Sequence, residues 1–177
     1  MFSTKKQQIL SRQERFFISG TLKKCYSDWY VVDDTDDFIP LDEYMNNQVE
    51  IWEENDWNML TFNNKHDLLE EGKSIRLERS LPFALKECVE EISLHSLVQW
   101  IQSLNKINYS IYDCIYAHNQ LIYRREGEDF SGISTYVFDN SMSICTVHHY
   151  VQRGMIKKDL FEMTLSTGER IWLTALA

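Results

Sequence analysis

The chain has 177 residues, 44% of them hydrophobic and 13% aromatic, with a net charge of −9. That apolar content supports a sizeable core and excludes wholesale disorder. The acidic balance disfavours a broad nucleic-acid or anionic-lipid surface, and no apolar run reaches the ~20 residues of a membrane span.

Residues 1–14 read as a polar helix or loose arm. From Phe16 the pattern turns to strands: FFISGTLKK, WYVVDD, QVEIWEE, WNMLTFN and SIRLERS. LDEYM reads as one helical turn, and Asn55-Asp56 as the turn of a hairpin. Five short strands joined by tight turns predict a small curled barrel of SH3 or OB type over residues 15–80. Pro82 marks a change to helix, with Ser80 as its cap. Phe83, Leu85, Cys88, Val89 and Ile92 recur at helical spacing, and Leu94, Leu97, Val98, Ile101 and Leu104 repeat the stripe. Ser110 and Asp113 resemble a capping box, which predicts a third helix with Ile111, Cys114, Ile115, His118, Leu121 and Ile122 on one face. ISTYVF, MSICTVHHYV, DLFEMTL and RIWLTAL then predict a four-stranded antiparallel meander. The expected fold class is α+β: a barrel-like unit, then two or three helices packed on a four-stranded sheet over residues 81–177.

SLNKINYSIYDCIYAHNQL, following an N-terminal half that holds WYVVDD, resembles a conserved uncharacterised family of Bacillus and its relatives, a domain of unknown function. The resemblance covers most of the chain. It implies a bacterial cytoplasmic protein and carries over no functional residues.

Charge is concentrated. Residues 1–27 hold six basic groups and one acidic, residues 28–71 fourteen acidic groups and one basic, and residues 72–177 eleven basic and twelve acidic. The middle block includes Trp52, Glu53, Glu54 and Trp57, an acidic aromatic surface suited to a protein partner. Carboxylates beside indoles also occur in glycosidases, but a half-buried hairpin alternates such residues without any chemistry. The basic arm of Lys5, Lys6, Arg12, Arg15, Lys23 and Lys24 could dock on another copy's acidic block, giving a homodimer. It carries no nucleic-acid motif. Asp33, Asp34, Asp36 and Asp37 fail the EF-hand pattern, with Phe38 or Ile39 where glycine is required.

The four cysteines, Cys25, Cys88, Cys114 and Cys145, form no CxxC pair. The start MFSTKKQQILSRQERFF lacks a signal-peptide core, so free thiols in the cytoplasm are expected. Cys114 and His118, four apart on the predicted helix, with Cys145 and His149 from one strand face, form a candidate zinc or thiolate–imidazole cluster. Burial in the core accounts for the same residues without chemistry. P-loop, dinucleotide, serine-hydrolase and HExxH motifs are absent from the sequence.

The expected function is a non-enzymatic cytoplasmic interaction or regulatory protein with no cofactor, no nucleic-acid partner and no membrane association. The alternatives are a metal or thiol enzyme built on the Cys/His cluster, and a small-ligand binder using Trp52, Trp57 or Trp100.

Overall fold

The computed structural model describes residues 2–44, 49–60, 69–125 and 127–176. The chain divides into two compact units, one of residues 15–80 and one of residues 1–14 with 81–177.

The unit of residues 15–80 is a six-stranded antiparallel sheet. Its strands are β1 (Phe17–Cys25), β2 (Asp28–Val32), β3 (Phe38–Pro40), β4 (Val49–Glu53), β5 (Asp56–Met59) and β6 (Ser74–Glu78), in the order β3-β2-β1-β6-β4-β5. Leu22, Val31, Ile51, Ile75 and Leu77 build its core from one face. The sheet is open, which corrects the expected barrel. Closure needs long staggered end strands that pair with each other, and here the end strands have three and four residues. Pro40 also leaves β3 without an amide donor at its end. Gly20 is required on β1, because a Cβ there would lie 2.4 Å from the Val32 carbonyl oxygen of β2. The β4–β5 turn falls on Glu54-Asn55, one residue before the expected position. Both have positive φ, 54° and 66°, as a type I′ turn demands. Met45 and the end of the predicted strand WNMLTFN, from Thr61, lie outside the described residues.

The other unit opens with α1 (Thr4–Leu10), capped by Ser3. Then come α2 (Phe83–Glu91) and α3 (Leu94–Lys106). Pro82 sits at the α2 N-cap with no side-chain cap bond, so Ser80 does not have its predicted role. Ser93 starts α3 by accepting the Ser96 N–H at 3.0 Å. Asn108, at φ 62°, ends it, and the Tyr109 N–H donates back to the Leu104 carbonyl at 3.0 Å.

The expected third helix is a strand, β7 (Cys114–His118), flanked by 3-10 turns at Ile111–Asp113 and Gln120–Tyr123. The Ser110/Asp113 capping box is present, but it caps only the first of these short turns. The run IYDCIY is rich in β-branched and aromatic residues, and a free sheet edge offers it a ladder. With β8 (Phe130–Asp139), β9 (Ile144–Arg153), β10 (Lys158–Leu165) and β11 (Arg170–Leu176), β7 makes a five-stranded antiparallel sheet ordered β11-β10-β9-β8-β7. Among the described residues the fold is therefore mostly β, 43% strand against 25% helix, and not the α+β fold with a four-stranded sheet that its helical stripes suggest.

The inner face of this sheet is buried. Trp100 of α3 stacks on Phe161 at 4.6 Å between ring centroids. His149 stacks on the same Phe161 at 4.3 Å. Tyr136 and Phe138 complete the layer.

Candidate functional site

One polar chain crosses this core. The apolar stripe of α2 turns Cys88 inward beside Leu85 and Val89. Strand alternation sends His149 of β9 and Asp159 of β10 to the same side. The His149 Nε2 lies 2.8 Å from Asp159 Oδ1, and its Nδ1 lies 3.5 Å from the Cys88 sulfur. Arg153 donates to Asp159 Oδ1 at 2.7 Å, and Ser96 of α3 donates to Oδ2 at 2.9 Å.

The protonation states follow from this geometry. Burial alone would raise the Asp159 carboxyl, but the bonds from His149 and Arg153 outweigh it and hold the group below the usual carboxylate range. An ionised carboxylate only accepts, so the imidazole proton sits on Nε2 and the Nδ1 lone pair faces the Cys88 thiol. Burial lowers the His149 pKa, opposed by Asp159 and reinforced by Arg153, so the ring is neutral. Its bond to Asp159 is thus a charge-assisted hydrogen bond, and the buried ion pair is Arg153–Asp159. Burial pushes the Cys88 thiol up to about 12.

Thiol, imidazole and carboxylate in this order form the nucleophile–base–orienting set of cysteine hydrolases. All three residues have 0% exposure. A sealed, protonated thiol presents nothing to a substrate, so in this conformation the chain orders the core.

The opposite face of the sheet is open. The register on β8, β9 and β10 sets Ser131, Gln152 and Lys158 side by side in one cross-strand row, and Ile133, Tyr150 and Leu160 in the next. These two rows line a cleft of about 540 Å³, within the ~300–1,000 Å³ of small-molecule sites. Gln120 braces its wall by accepting the Ile133 N–H at 2.9 Å. A Cβ on Gly132 would lie 2.7 Å from that amide oxygen. Tyr150 donates to Glu162 at 3.0 Å and stacks with Trp172 of β11, centroids 6.4 Å apart. Among the described residues no carboxylate pairs with the Lys158 ammonium.

The residues singled out from sequence fall in three places. Trp52, Glu53, Glu54 and Trp57 come together on the β4–β5 hairpin, with the two indoles edge to face at 5.3 Å. Their charge is partly met by β6 and the residue before it. Lys73 pairs with Glu53, and Arg76 pairs with Glu50 while lying over Trp57 at 4.6 Å. Of the Cys/His group, Cys114 is buried and donates to the Tyr116 carbonyl at 3.2 Å. A bulge follows it, and His118 stands exposed opposite Thr135 on the outer face. Cys145 is buried on the inner face, where burial pushes its thiol up to about 11. His149 is brought to Cys88 and Asp159, and His118 lies on the other side of the sheet. Among the described residues no group of three or more His, Cys, Asp or Glu could hold a metal ion. Trp100 is in the core. Sequence spacing alone does not link Cys88 or Asp159 to His149. Their signal in the sequence is a cysteine on a helix stripe and a carboxylate at an inward position of an alternating strand.

The chain belongs to the family described as "Protein of unknown function (DUF2777)", which matches residues 4–175. It is 25% identical over 175 residues to the uncharacterized protein YisN of Bacillus subtilis (strain 168), covering 94% of this chain and 89% of that protein. No solved structure matches. Among the described residues no helix is long and apolar enough to cross a membrane.

Proposed function

We propose that the protein is a non-enzymatic binding protein whose working surface is the outer face of the five-stranded sheet. The observation that carries this reading is the apolar character of that face. Tyr116, Ile133, Ile144 and Trp172 are 55%, 45%, 46% and 56% exposed. A sheet with helices on one face usually turns polar residues to the other, and exposed apolar patches mark binding surfaces. The sealed thiol chain supports binding over catalysis. The pairing of Glu50 and Glu53 with nearby cations favours the sheet face over the acidic hairpin as the primary surface.

The test uses 8-anilinonaphthalene-1-sulfonate, an apolar probe with an anionic group. Wild-type protein should give a saturable one-site fluorescence gain. The double variant Ile133→Glu, Leu160→Glu should lose it while keeping its near-UV circular dichroism. Retention of the signal in the variant, or no saturable signal at all, contradicts the reading.

A thiol enzyme is the second reading, favoured by the lone pair of His149 Nδ1 facing Cys88. It requires α2 to open. Stoichiometric alkylation of Cys88 by iodoacetamide in the native protein would support it, and complete resistance would remove it.

A further inference from the structure

We infer that the cleft on β8–β10 binds a small organic monocarboxylate with an apolar tail. This rests on the outer-face reading and names its ligand class. The carrying observation is the segregation of the two rows. Side chains two residues apart on a strand point the same way, so the rows lie ~7 Å from each other. In one row Ser131, Gln152 and Lys158 supply a hydroxyl, an amide and an ammonium, all able to donate, and no acidic side chain. In the other, Ile133, Tyr150 and Leu160 make a continuous apolar strip across three strands, ~10 Å wide at ~4.8 Å per strand.

A ligand that satisfies both rows at once has an acceptor head and an apolar body. The head bears one negative charge. Among the described residues Lys158 is the only cation lining the cleft, and none of them brings a guanidinium fork or a helix N-terminus there to match a phosphate dianion. The Lys158 ammonium is uncommitted to any carboxylate among the described residues, so a carboxylate head gains a full charge partner instead of competing for one. Tyr150 is held by its bond to Glu162 and by Trp172 behind it, so the apolar strip is ordered before a ligand arrives.

The experiment is a calorimetric titration of the full chain with decanoate, 1-decanol and acetate, alongside displacement of the anilinonaphthalene probe. Decanoate should bind one site, displace the probe, and bind at least ~10-fold more tightly than decanol, and acetate should not bind measurably. Lys158→Gln should weaken decanoate ~10-fold and leave decanol unchanged; tenfold corresponds to about 1.4 kcal/mol. Equal binding of decanol and decanoate, or no effect of Lys158→Gln, overturns the carboxylate assignment while the outer-face reading stands. So does saturable probe binding that decanoate fails to displace. Absence of saturable probe binding removes both.

Discussion

His149 donates its Nε2 proton to Asp159 at 2.8 Å, and that one bond sets the direction in which the imidazole presents its remaining lone pair. Two adjacent antiparallel strands place the pair diagonally, α2 adds the thiol, and α3 adds the Ser96 hydroxyl. The result ties two helices to the inner face of the sheet through directional bonds in a core otherwise built from rings and aliphatic chains.

Asp159→Asn should be severely destabilising. It removes the counter-charge of Arg153, which is 5% exposed, and breaking a buried pair costs about 3–5 kcal/mol. A urea titration should show the midpoint falling accordingly. An unfolding free energy within ~0.5 kcal/mol of wild type, the range of an ordinary surface change, would mean the carboxylate is not needed.

Stability should fall in acid, beginning near pH 6.5. The folded pKa of His149 is held down, chiefly by burial. Below its unfolded value of ~6.5 the unfolded chain therefore takes up a proton that the folded chain refuses. Asp159 has the same sign, because its folded pKa is also lowered, and it extends the loss below pH ~4. The contribution is complete above pH ~6.5 and is lost as pH falls through the lowered folded values. Urea midpoints at pH 7.5 and 5.0 measure the difference. His149→Gln should flatten the slope between them.

Thiol accessibility separates the four cysteines. Cys88, Cys114 and Cys145 are buried and Cys25 is half-buried, with Cys88 and Cys145 further protected by thiol pKa values of about 12 and about 11. A thiol-reactive disulfide reagent at pH 8 should therefore titrate no more than Cys25 in native protein, and all four in denaturant. Rapid native reaction of a second cysteine would show that the core opens.

Lys6 holds α1 in place. Its ammonium donates to the carbonyls of Val89, Glu90 and Ile92 at 2.7–2.8 Å, where α2 has run out of its own amide donors. Lys6→Met keeps the stem but leaves those carbonyls without the ammonium, which should cost about 1–3 kcal/mol. Chemical denaturation reads the loss, and an unchanged midpoint would show that water replaces the ammonium freely.

In the six-stranded sheet, Arg76 lies 4.6 Å from both the Phe17 and the Trp57 ring centroids and pairs with Glu50. Arg76→Lys keeps the charge but loses the planar group between two rings, and should cost about 1 kcal/mol. The unfolding free energy from chemical denaturation should drop by that amount, and no change would show that the charge alone matters.

Hairpins and helix stripes were legible where side-chain alternation is local. The strands β8 to β11 and the stripes of α2 and α3 follow from period two and period 3.6. The segment Cys114–His118 was not, because Cys114 and His118 sit at a spacing that suits a helix face while the deciding partner, β8, lies further along the chain. Closure of the first sheet was equally hidden, since it depends on how long the end strands β3 and β5 remain paired. Of the core chain only His149 was visible as a candidate. Cys88 is 61 residues away from it, and nothing local links a cysteine on a helix to a carboxylate on a distant strand. The cleft depends on register, which sets Ser131, Gln152 and Lys158 in one row, and register is a product of the folded sheet.

Binding at the outer sheet face and chemistry at the thiol chain are distinguished by where a ligand perturbs the protein. A two-dimensional NMR titration of isotopically labelled protein with the anilinonaphthalene probe reads that location residue by residue. Shifts should concentrate on Ser131, Ile133, Tyr150, Gln152, Lys158 and Leu160, with Cys88 and the Trp52–Trp57 hairpin unmoved. Shifts centred on Cys88, His149 and Asp159, or on the hairpin with the cleft silent, would contradict binding at the outer face.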